Sequence, residues 1–318
     1  MSIILSDREY PASFATLRDM GVPLITEERA RHQDIRPLRI GFLNLMPTAA
    51  MKDTEEQFFF LIGSTPLQII PEMIAFDEFA SSAERKNHLD AFYRKFSEVK
   101  SEGLDGLIVT GANLEEHSFE EVHYWEEFRE LITWAREHVA STLYSCWGAH
   151  AALKLFYNID RETYTDTEGK PRKITGLFSH PLKNHLASSF TQGLPDEVLC
   201  PHSHWRGIPG DAVRKVPELQ LLLENEEAGV LLVMGRGGRD VYVQGHPEYA
   251  ADALRKEYRR DREKSGPNAP FPKGYFPGDD VNAPPKNLWR STGTILFGNW
   301  VNFVYQTTNF DLKKALMG

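Results

Sequence analysis

The stretch Ala140-Ser141-Thr142-Leu143-Tyr144-Ser145-Cys146-Trp147-Gly148-Ala149-His150-Ala151-Ala152-Leu153 changes its hydrophobic period at one residue. Ala140 to Ser145 reads as a short buried strand, and Ala149, Ala151, Ala152, Leu153 and Leu155 open a helix directly after it. A thiol at such an elbow projects above the sheet. It sits at a helix N-terminus, which lowers its pKa, and the following N–H, that of Trp147, is available to an oxyanion. An inert buried cysteine is the other reading of the same position.

Working outward, Leu38 to Leu45 has a buried-strand pattern ended by Met46-Pro47. Thr54 to Ile62 has helical spacing, and Leu67 to Ile74 and Leu107 to Ala112 read as further strands. Ser118-Phe119-Glu120-Glu121 is a capping-box pattern. The stripe Val122, Trp125, Phe128, Leu131, Ile132 and Trp134 continues it as a helix to about His138, with its tryptophans in the core. Strand and helix alternating in this way predict an α/β fold, a mostly parallel sheet covered by helices on both faces. The later chain is strand-rich, with runs at 176–178, 198–203, 219–223, 229–234 and 240–244. Gly235-Arg236-Gly237-Gly238-Arg239-Asp240 has the letters of half a dinucleotide fingerprint, but it joins two strands without a following helix and reads as a hairpin turn.

Residues 1–35 are polar and mixed, and read as an N-terminal arm packed on the core; 36–318 read as one domain. Ala250 to Lys264 is a charged helix. The Pro/Gly-rich segment 265–287 is too punctuated for regular elements, and the interspersed Phe271, Tyr275 and Phe276 favour an ordered wrap. Leu288 to Tyr305 is an aromatic-rich C-terminal helix.

The 318 residues are 41% hydrophobic and 25% charged, enough apolar material for a large core, so wholesale disorder is excluded. A net charge of −9 makes nucleic acid and anionic lipid poor partners and favours a small molecule. Two cysteines are too few for a disulfide framework, the N-terminus is too charged for a signal peptide, and no apolar run approaches the roughly 20 residues that span a bilayer. These features predict a soluble, cytoplasmic protein.

A thiol nucleophile needs a base, and the base an orienting group. Tyr242-Val243-Gln244-Gly245-His246-Pro247-Glu248-Tyr249 supplies both at a strand end, with the Glu248 carboxylate two residues beyond the His246 imidazole. Cys146, His246 and Glu248 thus form a candidate triad. Class I glutamine amidotransferases use this layout on a flavodoxin-like sheet, with glycines two places before and after the nucleophile. Gly148 matches the second and Tyr144 replaces the first, so glutamine hydrolysis is an alternative, and a non-enzymatic binding module a more remote one. Cys200-Pro201-His202-Ser203-His204 alternates on one strand face but lacks a fourth ligand at a standard spacing, so no metal is expected. His117, His123 and His138 read as helix-surface or structural histidines.

Nearly the whole chain resembles the homoserine O-acyltransferases of the homoserine O-succinyltransferase type. The resemblance rests on Thr26-Glu27-Glu28-Arg29-Ala30, Arg36-Pro37-Leu38, Leu43-Asn44-Leu45-Met46-Pro47, Thr54-Glu55-Glu56-Gln57-Phe58, Ser141-Thr142-Leu143, Gly245-His246-Pro247-Glu248-Tyr249, Tyr275-Phe276-Pro277 and Trp289-Arg290. It implies a flavodoxin-like fold related to the amidotransferases. It also implies ping-pong transfer from acyl-CoA to the homoserine hydroxyl, the opening step of methionine biosynthesis, with no cofactor beyond the acyl-CoA co-substrate. By position it makes Cys146 the acylated nucleophile, His246 the base and Glu248 its partner, with the oxyanion hole at Trp147 and around Gly111. Lys173, Ser203 and Arg260 resemble the family's substrate contacts, Arg260 holding the amino acid carboxylate. A homodimer is expected from the family, with the aromatic C-terminal helix offering apolar surface. Asn113, Thr48-Ala49, His204 and extra residues before Lys173 depart from the family pattern and leave serine open as an acceptor beside homoserine. Glu115 resembles the family's size gate: glutamate there goes with acetyl transfer and glycine with succinyl transfer, because a carboxylate fills the space and repels the succinyl charge.

Overall fold

The strands Leu38–Leu43, Gly106–Val109 and Ser141–Ser145 are buried along almost their whole length, which fits only a sheet covered on both sides. The computed structural model describes residues 2–6, 9–33, 35–76, 82–114, 117–182 and 188–308. In it these three strands are parallel neighbours at the centre of a ten-stranded sheet. The order from one edge is Leu219–Asn225, Gly229–Gly235, Asp240–Val243, Ser141–Ser145, Gly106–Val109, Leu38–Leu43, Gln68–Ala75, Ser2–Leu5 and Leu24–Thr26, with Arg94–Lys95 also pairing Gln68–Ala75. The first two junctions are antiparallel and the others parallel. Gly235 pairs with Asp240 across the predicted hairpin turn, so the glycine-rich segment is a connector.

Side chains divide between the two faces at the strand period. Ile40, Phe42, Ile108, Leu143, Val241 and Val243 pack with Phe58 and Phe59 of helix Thr48–Ile62 and with Leu296, Phe297, Trp300 and Val304 of helix Arg290–Thr307. Leu107, Val109, Tyr144 and Tyr242 face the other way, onto Phe128, Leu131 and Ile132 of helix Trp125–His138 and Ala149, Ala151 and Ala152 of helix Trp147–Tyr157. The C-terminal helix therefore spends its aromatic stripe inside the chain. Trp300 lies fully buried and donates its indole N–H to Ser141 Oγ at 3.0 Å. The capping box forms at Ser118 and Glu121, although the turn it caps is a short 3₁₀ segment, Phe119–Glu121, ahead of the long helix.

The N-terminal residues differ from the reading of a polar arm laid on the core. Ser2–Leu5 pairs with Gln68–Ala75, Leu24–Thr26 pairs with Ser2–Leu5, and helix Ser13–Asp19 buries Phe14 and Leu17. Two strands of three and four residues are too short to show a period, and their flanking charges mask them. Replacing Ile3, fully buried at this edge, by Ala is expected to cost about 2–4 kcal/mol. The urea midpoint of the full chain reads this directly, and a loss near zero would mean that the segment is not part of the folded core.

Outside the main sheet, Ile174–Pro181 and Glu197–His204 form an antiparallel hairpin. It joins the body where His246 N–H donates to Pro201 O at 2.8 Å and where Lys273 pairs with Gly176. This hairpin, helix Ala253–Ser265 and the wrap stand beside the carboxyl ends of the central strands, the usual place for a site in a parallel sheet.

Candidate active site

Cys146 occupies a backbone conformation that side chains rarely adopt, φ 47° and ψ −112°. Such a residue costs on the order of 1–3 kcal/mol and persists only where its surroundings fix it. Here Cys146 N–H donates to Val243 O at 2.8 Å and its carbonyl accepts from His150 N at 3.1 Å, so the adjacent strand and the first helical turn hold it from both sides. Two glycines permit the close approach. A Cβ on Gly148 would lie 2.9 Å from Thr110 O and 3.0 Å from Val109 Cγ1. A Cβ on Gly111 would lie 3.2 Å from Cys146 Cβ, 3.7 Å from its sulfur and 3.8 Å from Trp147 N. Gly111 thus lies beside both the Cys146 side chain and the Trp147 backbone nitrogen. Tyr144, where the amidotransferase pattern has glycine, points away from this crowding and stacks on Tyr242 with centroids 5.3 Å apart.

The thiol is 9% exposed and lines a cleft of about 1250 Å³, as do Ser145, Gly111, His246 and Glu248. His246 Nδ1 meets Glu248 Oε1 at 2.8 Å, and the ring stacks on Tyr249 at 4.2 Å. Its Nε2 is buried without a hydrogen-bond partner among the described groups and is left for chemistry. Burial disfavours the imidazolium, but the Glu248 carboxylate and the neighbouring Cys146 thiol outweigh it and hold the His246 pKa well above its ordinary value. Cys146, His246 and Glu248, read from two distant sequence segments as a candidate triad, line one cleft.

Lys173, Ser203 and Arg260 line the same cleft. Lys173 is 6% exposed and lies 2.7 Å from Asp261 and 3.5 Å from Glu257. Ser203 donates to the second Glu257 oxygen, and Tyr249 donates to the first at 2.6 Å. Arg260 is 49% exposed, with its carboxylate neighbours at 3.6 and 4.0 Å, and keeps a guanidinium fork available to a ligand. Glu257, Asp261 and Tyr249 were missed in the sequence. The spacing of four between Glu257 and Asp261, with Arg260 beside them on one helix, was the available signal. His117 also borders the cleft, although its position suggested an ordinary helix-surface residue. Ala112 and Asn113 line the cleft too, whereas Glu115 lies outside the described residues.

The alternating Cys200, His202 and His204 face inward. His202 bonds His180 at 3.0 Å through Nε2 and His204 at 3.3 Å through Nδ1, and Cys200 packs beneath Gly245. Burial lowers the pKa of all three histidines, that of His180 to about 4. Neutral imidazoles bond to one another along this hairpin. Among the described residues no group of three or more His, Cys, Asp or Glu is arranged to hold a metal.

A family model described as homoserine O-succinyltransferase matches residues 3–310. The chain belongs to this family. It is 44% identical over 314 residues to a homoserine O-succinyltransferase of Pseudoalteromonas translucida, covering 98% of this chain and 96% of that protein. It is 43% identical over 306 residues to a homoserine O-acetyltransferase of Clostridium beijerinckii, covering 96% and 97% of the two chains. A Bacillus cereus homoserine O-acetyltransferase is 41% identical over 310 residues, covering 97% and 99%. Among solved structures, SMU.1228c superposes with a TM-score of 0.55 at 15% identity, over 84% of this chain and all of that one. A putative GMP synthase protein of Thermoplasma acidophilum gives 0.50 at 13% identity, over 88% and 98%. These likenesses establish the amidotransferase-like flavodoxin fold.

Glu248→Gln tests the electrostatics of the site. Removing the carboxylate charge leaves burial opposing the imidazolium, so the His246 pKa is expected to fall, which NMR titration of its ring protons measures. Because the folded value lies above the unfolded one, this pair stabilises the fold fully below about pH 6.5 and less as pH rises through the folded value, and the variant loses that contribution.

Proposed function

We propose that the protein moves an acyl group from acyl-CoA to the hydroxyl of L-homoserine through an acyl-Cys146 intermediate, the first committed step of methionine biosynthesis. As a member of the family it is a homoserine O-acyltransferase, and homoserine and an acyl donor are its substrates. The observation that carries the mechanism is Cys146 held at positive φ, with Gly111 and the Trp147 N–H on one side and the His246–Glu248 pair in the same cleft.

In the first half-reaction the proton that Cys146 and His246 share sits on the imidazole, whose charged form the site favours, and the sulfur attacks the thioester carbonyl. Trp147 N–H and the Gly111 backbone receive the oxyanion, and collapse expels the CoA thiolate, which recovers the proton from the imidazolium. In the second, His246 takes the homoserine hydroxyl proton and the oxygen attacks the acyl-cysteine. Collapse then releases O-acylhomoserine and returns the proton to Cys146. Glu248 stabilises the imidazolium in both halves. Arg260 is suited to the amino acid carboxylate, and Lys173 and Ser203, tied to Glu257 and Asp261, frame the same end of the cleft. Both cysteines are free thiols, which supports a reducing, cytoplasmic setting. Among the described residues no helix is long and apolar enough to cross a membrane.

Intact-protein mass spectrometry after mixing with acyl-CoA in the absence of acceptor is expected to show one acyl adduct, located on Cys146 and absent from Cys146→Ala. His246→Ala is expected to lower turnover by about 10³-fold or more, and Glu248→Ala by about 10²-fold. Near wild-type turnover in the histidine variant would refute the triad. The donor we propose is acetyl-CoA, on the volume and charge of Glu115; relatives of nearly equal identity bear both the acetyl and the succinyl name. Steady-state rates with both donors, against homoserine and serine, are expected to favour acetyl-CoA with homoserine. Glu115→Gly is expected to move the donor ratio towards succinyl-CoA, and an unchanged ratio would remove the size gate.

A further inference from the structure

The cleft is larger than the roughly 300–1,000 Å³ that encloses an ordinary small ligand, at about 1250 Å³, and far exceeds what an amino acid needs. Its wall includes Ser265, Asn268, Pro270, Phe271 and Lys273 of the Pro/Gly-rich wrap, which the chemistry at Cys146 does not use. The wrap is fixed in place. Lys273 N–H donates to Thr175 O at 3.0 Å and Leu177 N–H donates to Lys273 O at 2.8 Å. Between them Gly176 has φ +141°, and a Cβ there would lie 2.3 Å from Lys273 O, so the close approach requires glycine.

Two features of this wall are unexplained by the fold. Phe271 remains 40% exposed although its ring packs against Tyr258 and Phe276, with centroids 5.6 and 5.7 Å away. Near it the charges do not balance: Lys273 and Arg172 share the single carboxylate Glu227, and Lys264, also in the lining, makes no ion pair among the described residues. Asp166, on the turn that leads into Arg172, accepts N–H groups and keeps its charge, so this wall carries a surplus of one positive charge; elsewhere in the cleft Lys256 meets Asp53, and Lys173 meets Glu257 and Asp261. A chain of net charge −9 repels a polyphosphorylated donor unless such a local cationic surplus receives it.

We propose that this wall binds the phosphorylated nucleotide end of the acyl-CoA donor, with Phe271 as the platform for the base and Lys273, Arg172 and Lys264 as the phosphate contacts. The inference rests on the acyl-CoA reading above and assigns the other end of the same ligand. An exposed aromatic ring suits a purine, an arginine fork suits a phosphate, and the pantetheine arm would run from this wall towards Cys146.

Acyl-pantetheine, which carries the same thioester without the nucleotide, provides the test. The wild type is expected to use acyl-CoA at least ~10-fold better in kcat/KM. Phe271→Ala and Lys273→Met are each expected to raise KM for acyl-CoA ~5- to 10-fold with little change in kcat. Their acyl-pantetheine kinetics should stay within about twofold of wild type, and Lys273→Arg should restore most of the loss. Calorimetry with CoA alone should show the same weakening, independent of turnover. Equal use of the two donors by the wild type, or equal losses on both donors in the variants, would overturn this site and leave the acyl-CoA reading intact. Failure of the wild type to form a Cys146 adduct from either donor would overturn that reading and this site with it.

Discussion

The backbone of Cys146 is the constraint on which the site depends. A left-handed φ at a residue with a side chain is unfavourable alone, and here it ends the Ser141–Ser145 strand and starts the Trp147–Tyr157 helix with no intervening loop. That abrupt junction lifts the sulfur above the sheet and leaves the first helical N–H groups facing it. It also forces the helix against the Gly106–Val109 strand, which is why residue 148 must lack a side chain: a Cβ would meet backbone oxygens of both Val109 and Thr110. Strain at the nucleophile and close packing around it are one arrangement, secured by the strand on either side.

Charge is the second constraint. His246 is buried, yet its imidazolium is favoured because Glu248 is buried beside it and the thiol lies on its other side. Where both are buried, each partner supplies what solvation would otherwise give the other. The neighbouring His180–His202–His204 chain shows the opposite outcome: histidines of similar burial, none hydrogen-bonded to a carboxylate among the described residues, have lowered pKa values, burial being the largest cause. The carboxylate at Glu248 offsets burial and favours the charged form of His246.

Much of this was legible in the sequence for identifiable reasons. The elbow announces itself because the apolar period changes at Cys146, and Glu248 stands two residues from His246, so local pattern carries both. Residues 1–35 were harder, since Ile3 and Leu24 belong to strands too short to show alternation and are stabilised by pairing with residues far along the chain. The surroundings of Lys173 were beyond local reading, because its partners Glu257 and Asp261 sit on a helix that in sequence looks merely charged and solvent-facing. The wrap showed only that it was ordered; that Phe271 stays open while Tyr275 and Phe276 are buried depends on the hairpin it packs against.

Glu257 links the two halves of the site. One of its oxygens accepts from Tyr249, whose ring stacks on His246, and the other accepts from Ser203 on the hairpin. Lys173 lies within 3.5 Å of the same carboxylate. Burial and the negative charge of Glu257 raise the Tyr249 pKa far above its ordinary value, so the hydroxyl remains a donor and the link persists across the working pH range. Lys173 and Ser203 are therefore joined, through one carboxylate and one tyrosine ring, to the His246 imidazole. A change in the bonds of Glu257 therefore changes the support of the His246 ring as well.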